Sequence, residues 1–130
     1  MPMNWRRCDS KASSIDTDKA KIPMNFDYTE TQGQIRAAVK ELCKGFGPEY
    51  WRQCAQDGAY PEAFVDAMAK AGWLAALIPD EYGGAGLPLL DACLILQEVN
   101  QNGGSAVHCH AQMYTMASIM RHGSEAQKRR

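Results

Sequence analysis

The sequence carries no excess of charge of either sign. Its 14 Lys and Arg stand against 15 Asp and Glu, for a net charge of −1. It therefore lacks the surplus cations that neutralise phosphates, and a nucleic-acid partner is not expected. It has no apolar run of the roughly 20 residues needed to cross a bilayer, so no membrane span is expected and the protein reads as soluble. The five cysteines, at 8, 43, 54, 93 and 109, include no Cys-x-x-Cys pair and are odd in number. That argues against a disulfide framework or a zinc knuckle and suits the reduced thiols of a cytoplasmic protein. Arg6 and Arg7 are followed by no apolar segment, so a secretory signal is not expected, and Asp9, Asp16 and Asp18 disfavour a mitochondrial presequence.

What is present is ordinary globular material. With 130 residues and 45% apolar content the chain suffices for one domain and its core. Residues 1–24 are polar and aperiodic and read as a disordered extension; the folded part is expected over 25–130. Thr29 with Gln32 three residues later makes a capping box, and Ile35, Ala38, Val39, Leu42, Cys43 and Phe46 follow in one helical stripe. A short helix is predicted from Pro48 to Ala55, and another opens at Pro61 and closes at Gly72. Trp73 to Ile78 is a short apolar run, either a strand or a buried extended connection. After a glycine-rich loop, a helix from Leu89 to about Gln101 is apolar almost all round, leaving Asp91, Gln97 and Glu98 as its polar strip. The next, Ser105 to Arg121, contains no Asp, Glu, Lys or Arg through Met120. Both are expected to be buried on most sides. Ser124 to Gln127 is a second capping box, opening a helix that the sequence does not complete; the chain is therefore expected to be a piece of something longer. The fold class is all-α, an orthogonal bundle of about five to six helices.

Two motifs invite sharper readings and lose them. Gly84-Ala85-Gly86 precedes a helix, but a dinucleotide fingerprint needs a third glycine where Leu89 stands and a strand–helix–strand unit upstream. His108 and His110, two apart on a helix, point about 200° from each other and cannot share one metal. One is expected to be an interior residue and the other to face a cleft; no metal site is expected. Glu98 reads as a paired structural carboxylate, and Met113, Met116 and Met120 read as core fillers before they read as a ligand's wall. Taken alone, these residues give a helical domain with no evident catalytic constellation.

In order and spacing, however, several stretches resemble the N-terminal domain of acyl-CoA dehydrogenases. Asn25 to Gln32 resembles the opening of that family's first helix. Pro61 to Phe64 followed by Ala71 to Leu74 resembles its helix closing on a glycine before an apolar run. Ile78 to Gly86 resembles its P-E-x-Y-G-G-x-G loop, departing at Asp80, where glutamate is usual. Glu98 with Val99, His108 to Met116, and Arg121 to Lys128 with its G-S-E-x-Q-K turn complete the series.

The resemblance implies an N-terminal helical domain that in the family precedes a β-domain and a four-helix domain, with FAD held mainly by those other parts. It implies α,β-dehydrogenation of an acyl-CoA thioester, with an electron-transferring flavoprotein as acceptor and a homo-oligomeric enzyme. The proton-abstracting carboxylate belongs to the C-terminal domain in most members, so no catalytic residue is carried over, and no cofactor contact is assigned. What the domain contributes is one wall of the acyl pocket, here drawn from His110, Ala111, Tyr114 and Ser118. A chain of this kind is expected to be inactive alone. An acyl-CoA oxidase or flavin monooxygenase on the same scaffold, and a non-enzymatic helical interaction module, remain open as alternatives.

Overall fold

A computed structural model describes residues 27–129. The expected disordered extension, and the first two residues of the matched opening, lie outside them. The first helix, α1 (Glu30–Cys43), begins as its sequence requires: the Gln32 amide donates to the Thr29 hydroxyl at 3.2 Å and the Thr29 amide donates to the Gln32 side chain at 3.1 Å. Two of the four unpartnered amides of a helix start are thereby satisfied. Ile35, Val39 and Cys43 form its buried stripe, while Ala38 is turned to solvent.

The second helix, α2 (Pro48–Asp57), starts on its proline and fully buries none of its residues. It acts instead through Tyr50 and Trp51, which meet Phe46 and Phe64 in edge-to-face pairs with ring centroids 4.9–5.2 Å apart. The Trp51 indole N–H donates to the Phe46 carbonyl at 3.0 Å, so its buried polar tip has a partner. Phe64 is supplied by α3 (Glu62–Lys70), which also buries Val65 and Met68.

The apolar run after α3 is neither a strand nor extended. Trp73–Ala75 form a 3-10 turn, and the glycine loop folds back over the run: Ala85, Gly86 and Leu87 donate to the carbonyls of Ala75, Ile78 and Ala76 at 2.7–3.2 Å. The loop does what a neighbouring strand would have done, giving the run's carbonyls partners so that Ala76 can be buried. A second 3-10 turn covers Asp80–Tyr82.

The remaining helices are α4 (Leu89–Gln101), α5 (Val107–His122) and the single-turn α6 (Glu125–Lys128), which has the second capping box. The described residues thus form an all-α fold of six helices, and no strand occurs among them. Val39, Phe64, Met68, Ile95, Val99 and Cys109 are the largest side chains closed off completely, so the core lies where α1, α3, α4 and α5 converge. Gln32 pairs with Asp91 and Arg36 with Glu98 and Gln101; the pairs advance together along α1 and α4, so these helices run parallel.

Two burial expectations need correction. On α4 the polar strip faces α1 rather than solvent: Asp91 and Glu98 are 5% and 4% exposed, Glu98 being paired as expected, while Leu89 and Leu90 are 68% and 61% exposed. Polar groups can be buried there because α1 supplies partners for both. On α5 only Cys109 and Met113 are buried; Met116 and Met120 are half-buried. The helix has no charged side chain before Arg121, but packing among the described residues covers only one side of it.

Candidate functional site

That uncovered side is the candidate site. On α5, His110, Tyr114 and Ser118 stand in steps of four, and Ala111 lies beside them, all within an arc of about 100°. The structure brings part of the set together. The His110 ring tilts against Tyr114 with centroids 5.4 Å apart, and both side chains are exposed. Val107, one turn earlier, extends the stripe and is 68% exposed. Ser118 is exposed as well, but its hydroxyl donates to the Tyr114 carbonyl at 3.0 Å, and Thr115 does the same to Ala111 at 2.7 Å. Hydroxyls bonded to their own helix present mainly carbon outward, which leaves the stripe less polar than its composition suggests. Ala111 is half-buried and borders a cavity of about 250 Å3 with Tyr60, His108, Gln112 and Thr115.

Neither histidine is the interior residue expected. His108 is half-buried, lies edge-on to Tyr60 at 4.6 Å and borders two cavities; His110 is exposed. Among the described residues no three His, Cys, Asp or Glu side chains converge on a metal position. The pairing of Tyr60 with His108 had no signal in the sequence, because the two are far apart in the chain and sit in different local patterns.

The glycine loop cannot cradle a phosphate. Such a cradle needs free amides and an open approach, and here the amides of Gly83, Gly84, Ala85 and Gly86 already donate to carbonyls of Asp80, Pro79, Ala75 and Ile78. Gly84 is pressed so closely on the preceding run that a Cβ there would stand 2.0 Å from the Ile78 carbonyl oxygen. Gly83 and Gly86 adopt positive φ of 83° and 58°, left-handed turns that close the loop on itself. These three glycines serve the fold, and the loop's amides are not free to hold a phosphate.

The buried thiols are not nucleophiles. Burial, and then the neighbouring Cys43, pushes the Cys109 thiol up to about 11. Burial raises Cys43 as well, with the Glu98 charge adding to it. Reactive cysteines have the opposite environment, exposed and electropositive. A different cluster ties the loop to the end of the chain. The Tyr82 hydroxyl donates to Glu125 at 3.0 Å, Lys128 pairs with the same carboxylate at 3.1 Å, and the Arg129 guanidinium lies 5.3 Å from the Tyr82 ring centre. The hydrogen bond to Glu125 raises Tyr82; the bonds from Lys128 and then Tyr82 lower Glu125. All of these groups are solvent-accessible, and they position α6 rather than perform chemistry. What α5 presents is an outward stripe of Val107, His110, Tyr114 and Ser118.

Comparison with known proteins gives this surface a context. The pattern of the family described as "Acyl-CoA dehydrogenase, N-terminal domain" matches residues 29–130. The chain is 37% identical over 84 residues to "Probable acyl-CoA dehydrogenase YdiO" of Escherichia coli (strain K12), covering 64% of this chain and 22% of that protein. It is 26% identical over 105 residues to "3-sulfinopropanoyl-CoA desulfinase" of Paraburkholderia xenovorans (strain LB400), covering 79% of this chain and 27% of that protein. The chain thus spans about a quarter of the length of the curated relatives it matches. No solved structure gives a significant match.

Proposed function

The chain belongs to the acyl-CoA dehydrogenase family through that family's N-terminal domain, and on this premise we propose that it forms one wall of an acyl-thioester pocket in an FAD-dependent oxidoreductase. The observation that carries the proposal is the outer face of α5. This helix has no Asp, Glu, Lys or Arg before Arg121, yet it turns Val107, His110, Tyr114 and Ser118 outward. A neutral outward stripe ending in small side chains suits an acyl chain, which needs apolar contact and no countercharge. In this reading Tyr114 packs along the chain, Ala111 and Ser118 leave room for it, and His110 stands at the polar edge.

The reaction proposed is α,β-dehydrogenation of an acyl-CoA, with electrons leaving to an electron-transferring flavoprotein, in a cytoplasmic homo-oligomer. The glycine loop does not fit a flavin's phosphates, since its amides are taken, and in this reading the flavin is held mainly, and the proton-abstracting carboxylate supplied, by parts of the enzyme outside this domain. By itself the chain is inactive. The similarity to a protein named as a desulfinase of 3-sulfinopropanoyl-CoA favours a second reading. The same wall would then serve an acyl-CoA whose reaction is not dehydrogenation, because the wall sets the substrate class and other residues set the chemistry.

The test is a titration of the isotope-labelled chain with butanoyl-, octanoyl- and palmitoyl-CoA, followed by amide NMR. Shifts confined to the outer face of α5 and growing with acyl length are expected, with little response to CoA alone. Shifts on another face, or a response independent of the acyl chain, would overturn the proposal.

A further inference from the structure

The connection from α2 to α3 and the connection from α4 to α5 meet over a cavity of about 420 Å3, larger than that beside Ala111. Trp51, Cys54 and Ala55 of α2 border it, with Pro61, Ser105 and His108 completing the part with side-chain chemistry. It shares its His108 edge with the cavity beside Ala111, while the rest of its lining comes from α2 and the two connections, and His108 points about 200° from His110 on α5. None of its lining residues is Asp, Glu, Lys or Arg, so it offers no countercharge to a phosphate, a carboxylate or an ammonium group.

Two features make this more than a surface dent. The indole of Trp51 is held in place by its hydrogen bond to the Phe46 carbonyl and by edge-on contacts with Tyr50 and Phe64. It is also packed tightly against the connection, since a Cβ on Gly104 would stand 3.1 Å from the indole and 3.0 Å from Val99. The His108 ring is fixed by Tyr60, yet it makes no hydrogen bond to another described residue, and neither does the Ser105 hydroxyl. A preset aromatic wall with a fixed but uncommitted hydrogen-bonding ring is the pattern of small-molecule sites, whose volumes run from about 300 Å3 upward. We propose that this cavity binds a small, uncharged heteroaromatic compound of one or two rings, packed on Trp51 and hydrogen-bonded by His108.

Indole is the probe. Titrated into the isotope-labelled chain, it is expected to give saturable NMR shifts at the Trp51 indole N–H and at the amides of Gly103, Gly104, Ser105 and His108. The negatively charged analogue indoleacetate should bind at least several-fold more weakly. Ala55→Leu places a larger apolar side chain on an exposed helical position bordering the cavity; it should remove binding while the thermal midpoint stays unchanged. His108→Phe keeps a ring against Tyr60 and loses only the hydrogen bond, so affinity should fall about five- to tenfold. Shifts that do not saturate, that gather on the outer face of α5, or that survive both substitutions would overturn the assignment. So would equal affinity for indole and indoleacetate. Ala55 borders this cavity and not the one beside Ala111, so loss of indole binding in Ala55→Leu is distinguishable from a failure of acyl-CoA to bind α5.

Discussion

The Nε of Arg36 on α1 donates to Glu98 Oε2 on α4 at 2.8 Å, and Asn102 donates to the other oxygen of the same carboxylate at 3.0 Å. Glu98 is nearly closed off from water, while the Arg36 side chain keeps 28% of its surface exposed. This asymmetry sets the outcome of breaking the pair. Removing the arginine strands a buried charge; neutralising the glutamate leaves a guanidinium that still reaches solvent. Arg36→Met should therefore cost about 3 kcal/mol and Glu98→Gln about 1 kcal/mol in urea unfolding. Equal losses, or a larger loss for Glu98→Gln, would mean that the pair does not lock α1 to α4 as described.

Two glycine-to-alanine substitutions should act in opposite directions. At Gly84 a new methyl would collide with the Ile78 carbonyl, which is backbone and cannot swing aside. Gly84→Ala should cost about 2–4 kcal/mol, in the range of a forced backbone shift. At Gly33, within α1, a Cβ meets nothing within 4 Å. Gly33→Ala should stabilise by about 0.5–1 kcal/mol, because alanine loses less backbone freedom on entering a helix. Both are read from chemical denaturation of the same background.

These contrasts show which parts of the fold were legible in the sequence. The starts of α1 and α6 were, because a capping box is complete within four residues. Glu98 was legible as a paired carboxylate, but which residue pairs with it, and the inward turn of Asp91, were not, since their partners lie on α1, some 60 residues earlier. The run from Trp73 was ambiguous because its partners are the amides of a loop that follows it rather than a strand. His110, Tyr114 and Ser118 were singled out only by what the family resemblance implies, and whether this chain covers them was not legible. A helix with almost no charged residues has the same composition whether its own domain or something else packs against it. The cavity beside Trp51 left no trace, being formed by two connections distant in sequence.

The contact between Tyr82 and Glu125 should govern how firmly α6 is held, because one helical turn does not persist by its own hydrogen bonds. Tyr82→Phe removes the hydroxyl and should speed amide exchange at residues 125–128 while leaving α1 unchanged. The pH dependence follows from the directions of the shifts. Glu125 is lowered in the fold, so its contribution is present above its unfolded value and is lost as pH falls through the lowered one. Lys128 is raised by Glu125, so its contribution is present below its unfolded value and disappears as pH rises through the raised one. Protection at α6 should thus be greatest between these limits, and the Tyr82→Phe variant should respond less to the acid limit. A flat profile in the unsubstituted chain would show that the cluster does not hold the helix.

Cys109 permits a test of the core at alkaline pH. Its folded thiol is pushed up to about 11 from an ordinary value of 9.0, because the thiolate would have to form inside the packing of α1, α3 and α5. A raised folded value means that the thiol's contribution is complete below the unfolded value and is lost as pH rises from there through the folded one. Stability should therefore decline from about pH 9 to pH 11, and Cys109→Ala should flatten that decline while lowering stability at neutral pH by its cavity. The same burial predicts the order of chemical labelling. In a Cys8→Ser background at mildly alkaline pH, exposed Cys93 should react with a thiol reagent first and half-buried Cys54 next. Cys43 and Cys109 should label only at the rate of unfolding, and denaturant should bring all four to the same rate. Rapid labelling of Cys109 in the native chain would mean that α5 is not seated on the core, and the outward orientation of His110 and Tyr114 would fall with it.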